Sequence, residues 1–137
     1  MASIFELEQP VFGRSNSSLE LVAAGDEATT LSAAQSVNSL VVMTPTAARN
    51  VTTATAAAIV AELGSGVRVG TTFSVTLRNQ AAATYAMTLV GGTGVTLDAD
   101  NTNTAAAAST RQFIGRVTNA TSGSEAVTVY SLPSGTH

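Results

Sequence analysis

The chain has no cysteine, no lysine and no tryptophan, and its one histidine is the last residue, His137. Without cysteine there are neither disulfides nor thiolate metal ligands, and the redox compartment cannot be read. Without lysine, the six arginines at 14, 49, 68, 78, 111 and 116 face nine acidic residues. That excludes the dense basic stripe a nucleic-acid binder needs to displace counterions. No window of 18 apolar residues occurs, so no segment is expected to cross a membrane as a helix. "MASIFELEQP" at 1–10 has two glutamates and no basic residue, which is not the pattern of a signal peptide. A terminal imidazole is poorly held, and without internal histidine or cysteine the usual nucleophile–base pairs cannot be assembled. A carboxylate pair could hydrolyse a glycoside, with Glu20, Glu62 and Glu125 as candidates, but no spacing brings them together. The chain is expected not to be an enzyme.

What the chain has in excess is small residues. Twenty-four of its 137 residues are alanine, against 37 Val, Ile, Leu, Met, Phe and Tyr, and about a quarter are Ser or Thr. An alanine methyl buries little area, so at roughly 25 cal/mol per Å² the hydrophobic term of a lone copy is thin. Small β chains with thin cores draw stability from neighbouring subunits, which predicts an oligomer.

Residues 1–18 read as an N-terminal arm, with two apolar pairs, Ile4–Phe5 and Val11–Phe12, around Pro10. Such pairs would be wasted in solvent and suit grooves on a neighbouring subunit or partner. From Leu19 the chain is punctuated every eight to twelve residues, the rhythm of a β-sandwich or barrel over 19–132, followed by a flexible tail at 133–137. "LELVA", "VNSLVVMT", "RNVTTA", "TTFSVTLRN", "TYAMTLV", "VTL", "TRQFIGRVT" and "EAVTVYS" read as strands. The fourth and fifth are expected to form a hairpin across "QAAA". One short helix is expected over about 55–63, with a threonine N-cap and Gly64 as its stop. Neither an internal repeat nor the helix–strand alternation of a parallel sheet is evident. The predicted fold is mainly β: an antiparallel, jelly-roll-like β-sandwich with one short helix and an extended arm.

Three motifs resemble sites and fail in detail. "DADNTN" at 98–103 offers Asp98, Asp100, Asn101 and Asn103 as hard ligands. Thr102, Asn103 and Ser109 stand where a calcium loop needs Asp or Asn, Gly and Glu, so a turn is the better reading. "GGTGVT" at 91–96 lacks the lysine of a phosphate loop and runs into a strand rather than a helix. Asn16, Asn50 and Asn119 begin glycosylation sequons, a number close to chance. Asn119 is better read as entering a turn, with Gly123 taking the awkward backbone angle. No cofactor or metal is expected.

The helix "TAAAIVAEL", then "GTTFSVTLRNQAAATYAMTLVGGTGVTL", an Ala/Thr-rich loop and "STRQFIGRVTNATSGSEAVTVY" resemble, in that order, small β-rich virion surface proteins of tailed bacteriophages. The likeness is greatest to capsid decoration (cement) proteins and covers about residues 28–131. It implies a non-enzymatic structural protein that is made in the host cytoplasm and sits on the capsid surface. There it would assemble as a homotrimer and bind the major capsid protein, with no nucleic acid or membrane as partner. Ile4, Phe5, Val11 and Phe12 would make the capsid or neighbouring-subunit contact. Tail, fibre or head-completion modules share such runs, and a receptor- or glycan-binding head remains an alternative. Tyr85 and Tyr130, the candidate sugar platforms, fall on patterned strands that suggest core packing.

Overall fold

Side chains alternate across a strand with period two, and the longer strands bury every second residue. The structure, a computed structural model, describes residues 19–98 and 102–137. The chain winds back and forth between two sheets. The first turn is β1 (Glu20–Ala23), β2 (Thr29–Thr30) and helix α1 (Ala33–Val37). The second is β3 (Asn38–Met43), β4 (Arg49–Thr52) and helix α2 (Ala56–Leu63). A third begins with β5 (Thr72–Asn79) and β6 (Met87–Val90), and a glycine turn then takes the place of a helix and leads to β7 (Val95–Leu97). β8 (Thr104–Ala105), the long β9 (Ser109–Asn119), β10 (Ala126–Ser131) and β11 (Gly135–Thr136) complete the chain.

One sheet has seven strands, in the order β1-β3-β5-β9-β10-β7 with β11 also on β9, and the other runs β2-β4-β6-β8. Their facing sides share one core. Val41, Val75, Leu77, Phe113, Val117 and Val127 come from the larger sheet, and Val51, Met87, Leu89 and Ala105 from the smaller. Ile59 and Val60 of α2 close one end.

The mainly β, two-layered architecture agrees with the sequence, but strand direction does not. Successive turns stack in parallel, β1-β3-β5 in one sheet and β2-β4-β6 in the other, and β10-β7 is also parallel. Only β3's far neighbours, the β5-β9-β10 run, with β9-β11 and β6-β8, are antiparallel. The sandwich is therefore mixed, not an antiparallel jelly roll. The expected hairpin of 71–79 with 84–90 is absent, since β5 and β6 lie in different sheets. There are two helices, not one. Ser32 caps α1 by accepting from Gln35 N–H while the Gln35 side chain accepts from Ser32 N–H, a reciprocal capping box. Thr55 caps α2, and Gly64 ends it at φ +92°, as read from the sequence. The winding is also an internal repeat: strand, strand, hydroxyl cap, helix occurs twice, with Ser32 and Thr55 as equivalent caps. Within the tail at 133–137, Gly135 and Thr136 pair with Thr110 and Ser109.

The glycine turn fits only because Gly91, Gly92 and Gly94 lack side chains. Gly92 N–H donates to Thr53 Oγ1 at 2.9 Å, and Thr93 O accepts from Ala56 N–H at the start of α2. A Cβ on Gly92 would stand 2.6 Å from two backbone carbonyl oxygens, of Thr53 and Ala54, and backbone cannot yield as a side chain can. Gly92→Ala is expected to cost about 1–3 kcal/mol in urea unfolding. Gly66→Ala, where a Cβ meets nothing within 4 Å, should stay within about 0.5 kcal/mol of the parent.

Candidate interaction surface

The four arm residues Ile4, Phe5, Val11 and Phe12 lie outside the described residues. What the described residues present is the outer side of the seven-stranded sheet, whose register places side chains in rows. One row runs Leu21–Leu40–Thr76–Gln112, the next Asn38–Ser74–Ile114–Tyr130, and a third Thr72–Arg116–Thr128–Thr96. Hydroxyls occupy the middle, apolar residues flank them, and none of the three rows contains a carboxylate. Leu21 is 66% exposed, and Leu132, whose N–H donates to Gln112 O, extends the apolar margin.

Where the rows meet the ends of the helices, the face deepens into a cleft of about 530 Å³. Phe73, Ser74 and Ile114 form its floor, and Val37, Leu63 and Glu62 stand at the helix side. Phe73 sits there because its cross-strand partner is Gly115: a Cβ on that glycine would fall 2.1 Å from the ring. The ring covers the glycine on the core side of the sheet. The cleft was not foreseen, since it depends on the long-range pairing of Ser74 with Ile114.

Both tyrosines are corrections to the sequence reading. Tyr85 precedes β6 and is 42% exposed, with its carbonyl accepting from the Asn79 side chain. Tyr130 points outward between the inward Val129 and Ser131 and is 39% exposed. They stand apart, Tyr130 on the sheet face and Tyr85 in the β5–β6 connection.

The polar side chains buried in the fold hold it together. Arg111, 7% exposed, donates through Nε to Thr104 O at 2.8 Å, through Nη1 to Leu132 O at 2.6 Å and through Nη2 to Ser134 Oγ at 3.1 Å. It ties β8 and the C-terminal strand to β9. Asn79, fully buried, donates to Tyr85 O and Ala105 O and accepts from Ala81 N–H, linking the two sheets. Asp26 joins the equivalent connections of the first two turns, accepting from Thr46 N–H at 3.0 Å, from the Thr46 hydroxyl, and from Arg49 Nε at 2.8 Å. The Arg49 hydrogen bond, then those of Thr46, hold the Asp26 carboxyl well below the ordinary aspartate value of 3.8.

The remaining candidates are accounted for separately. Glu20 accepts from Gln35 and Glu125 from Gly123 N–H, while Glu62 lines the cleft. Asn119 accepts from Thr121 N–H at 2.9 Å, and Gly123 has φ +87°, so this sequon is a turn as expected. Of the Asp/Asn loop, Asp100 and Asn101 lie outside the described residues, while Asp98 N–H donates to Val129 O and Asn103 O accepts from Leu89 N–H. Among the described residues no group of three or more His, Cys, Asp or Glu could hold a metal ion. No helix among them is long and apolar enough to cross a membrane. Comparison with protein families, with curated proteins and with solved structures finds no match for the chain.

Arg111→Met should destabilise by on the order of 2 kcal/mol, because three carbonyl or hydroxyl acceptors lose a charged donor. Amide exchange at 132–137 should rise more than elsewhere. A carboxyl depressed in the folded state stabilises it above the unfolded value, and this contribution is lost as pH falls through 3.8 towards the folded-state value. The Asp26 and Arg49 side chains are 27–33% exposed, so water screens the pair and the effect is small. Asp26→Asn should lower the Tm near neutral pH, and the difference should begin to shrink only as the pH falls below about 4.

Proposed function

We propose that the chain is a structural virion protein of a tailed bacteriophage. It acts as a decoration protein that lies on the outer surface of the capsid and stabilises the lattice by non-covalent contact with the major capsid protein and with its own copies, as a homotrimer. The observation that carries this reading is the outer face of the seven-stranded sheet. Its three rows combine exposed Leu21 and Tyr130, half-buried Leu40 and Ile114, a band of hydroxyls and Arg116, and hold no carboxylate. Protein interfaces are poor in acidic residues at their centre and rich in aromatic residues and arginine. Small hydroxyl side chains let a second protein surface approach a sheet closely. The likeness to decoration proteins supplies the virion setting, and its strongest segment, "RVTNATSGSEAVTVY", is the turn end of the β9–β10 hairpin and holds Arg116, Thr128 and Tyr130 of these rows.

The mechanism needs no chemistry. The sheet face makes a broad, weak contact. The arm, through Ile4 and Phe5 with Val11 and Phe12 behind them, adds a second one on each copy. In a trimer, each bound copy raises the local concentration of the next, so modest contacts multiply into firm retention.

A receptor- or glycan-binding head is favoured by one observation, the exposure of Tyr85 and Tyr130, since exposed rings are what sugars stack on. Their separation argues against a shared sugar platform. A glycan array positive for the protein, and lost in Tyr85→Ala or Tyr130→Ala, would support that reading over the first.

Deletion of residues 1–18 should leave the folded oligomer at trimer mass in solution while lowering occupancy on capsids by about 100-fold or more. Undiminished occupancy of the truncated protein would refute the arm's role, and a ring of another order would favour a tail or head-completion module.

A further inference from the structure

The cleft beside the helix ends lies where the N-terminal segment enters the fold. Leu19 immediately precedes Glu20, the register partner of Ser39, so the chain joins the sheet beside Val37 and Asn38 on the rim of the cleft. β1 is the edge strand, and the cleft floor lies on β5 and β9, two and three strands inward. At about 4.8 Å per strand, that is a lateral span of about 14 Å at most. Six residues separate Phe12 from Leu19, and the seven Cα steps between them can extend about 23 Å at roughly 3.3 Å each. Val11 and Phe12 therefore reach the floor from their own chain with slack. The charges match as well. Glu62 stands at the cleft, the ion pairing among the described residues is that of Asp26 with Arg49, and Arg14 follows Phe12 by two positions.

We propose that this cleft is the seat of Val11, Phe12 and Arg14 of the same chain. Phe12 lies against Ile114 and Leu63, and Arg14 pairs with Glu62. The segment is thereby anchored at its root, and Ile4 and Phe5 project beyond the sheet edge as the part that engages another protein. The intramolecular seat stands independently of the virion role; only the task given to Ile4 and Phe5 rests on that reading.

The absence of cysteine makes the test clean. In the full-length chain, Gly13→Cys with Ser74→Cys should form a disulfide within one polypeptide under mild oxidation. It would run as a covalent monomer in denaturing mass analysis, at a rate independent of protein concentration. Gly13→Cys with Ala82→Cys, at the opposite end of β5, should not cross-link within the chain. Adding Phe12→Asp should slow the Gly13–Ser74 reaction at least tenfold, and Glu62→Arg should slow it several-fold, with Arg14→Glu restoring the rate. Covalent dimers from Gly13–Ser74 would overturn the proposal in favour of a second copy's segment as occupant. No cross-link, or a rate indifferent to Phe12→Asp, would overturn it outright. Because the reaction is read on isolated protein, it succeeds or fails whether or not the protein binds capsids. A normal cross-link with no capsid binding would leave the seat standing and refute the virion role.

Discussion

The antiparallel ladder between β5 and β9 is the constraint on which the rest of the structure depends. Eight register pairs, from Thr72–Arg116 to Asn79–Ser109, join the parallel winding of the first half to the hairpin of the second. Because side chains alternate strictly across a strand, this one register decides both faces at once. Phe73–Gly115, Val75–Phe113, Leu77–Arg111 and Asn79–Ser109 turn inward; Thr72–Arg116, Ser74–Ile114, Thr76–Gln112 and Arg78–Thr110 turn outward. A slip of one residue would bury Arg116 and Arg78 and expose Phe113 and Leu77. The same ladder sets Gly115 under the Phe73 ring inside and Ser74 beside Ile114 in the cleft outside. Core, outer face and cleft are three consequences of one pairing.

The inward positions of that ladder are not uniformly apolar, and this determines how the remaining segments attach. Arg111 and Asn79 are buried at its end and make their bonds mainly to backbone carbonyls of β8, the β5–β6 connection and the C-terminal segment. A carbonyl acceptor fixes a segment without requiring a particular side chain in it. That allows two-residue strands such as β8 and β11, too short to bury much area, to hold a defined place. With many alanines and few large side chains, the fold relies on such directional bonds and on close glycine contacts at the 91–94 turn, as well as on apolar area.

Much of this was legible in the residues. β5, β9 and β10 show clean alternation, and α2 announced itself through Thr55 and Gly64. The β9–β10 turn followed from Asn119 and Gly123. Strand direction was not legible, because alternation says which side of a strand is buried and nothing about which strand lies beside it. The parallel stacking of β1, β3 and β5 arises from connections that pass through the other sheet, and no local pattern encodes that path. α1 was missed although its signal was present: Ser32 and Gln35 form the Ser-x-x-Gln capping pattern, ahead of a helix too short to show periodicity. Tyr130 could have been placed from parity alone, since Val127 and Val129 turn inward. Tyr85 could not, because the alternation of Met87 and Leu89 stops where β6 begins. The cleft depends on Ser74 lying opposite Ile114, a long-range pairing invisible along the chain.

In the proposed role this polypeptide works through the surface it covers, with the outer side of the seven-stranded sheet as that surface. An image of assembled capsids bearing the protein, at a detail that distinguishes side chains, tests this most directly. It should show the Leu21, Tyr130 and Arg116 side chains turned away from solvent and packed against capsid protein or a neighbouring copy, beside the cleft. Copies whose outer rows face open solvent, with contact made elsewhere, would contradict it.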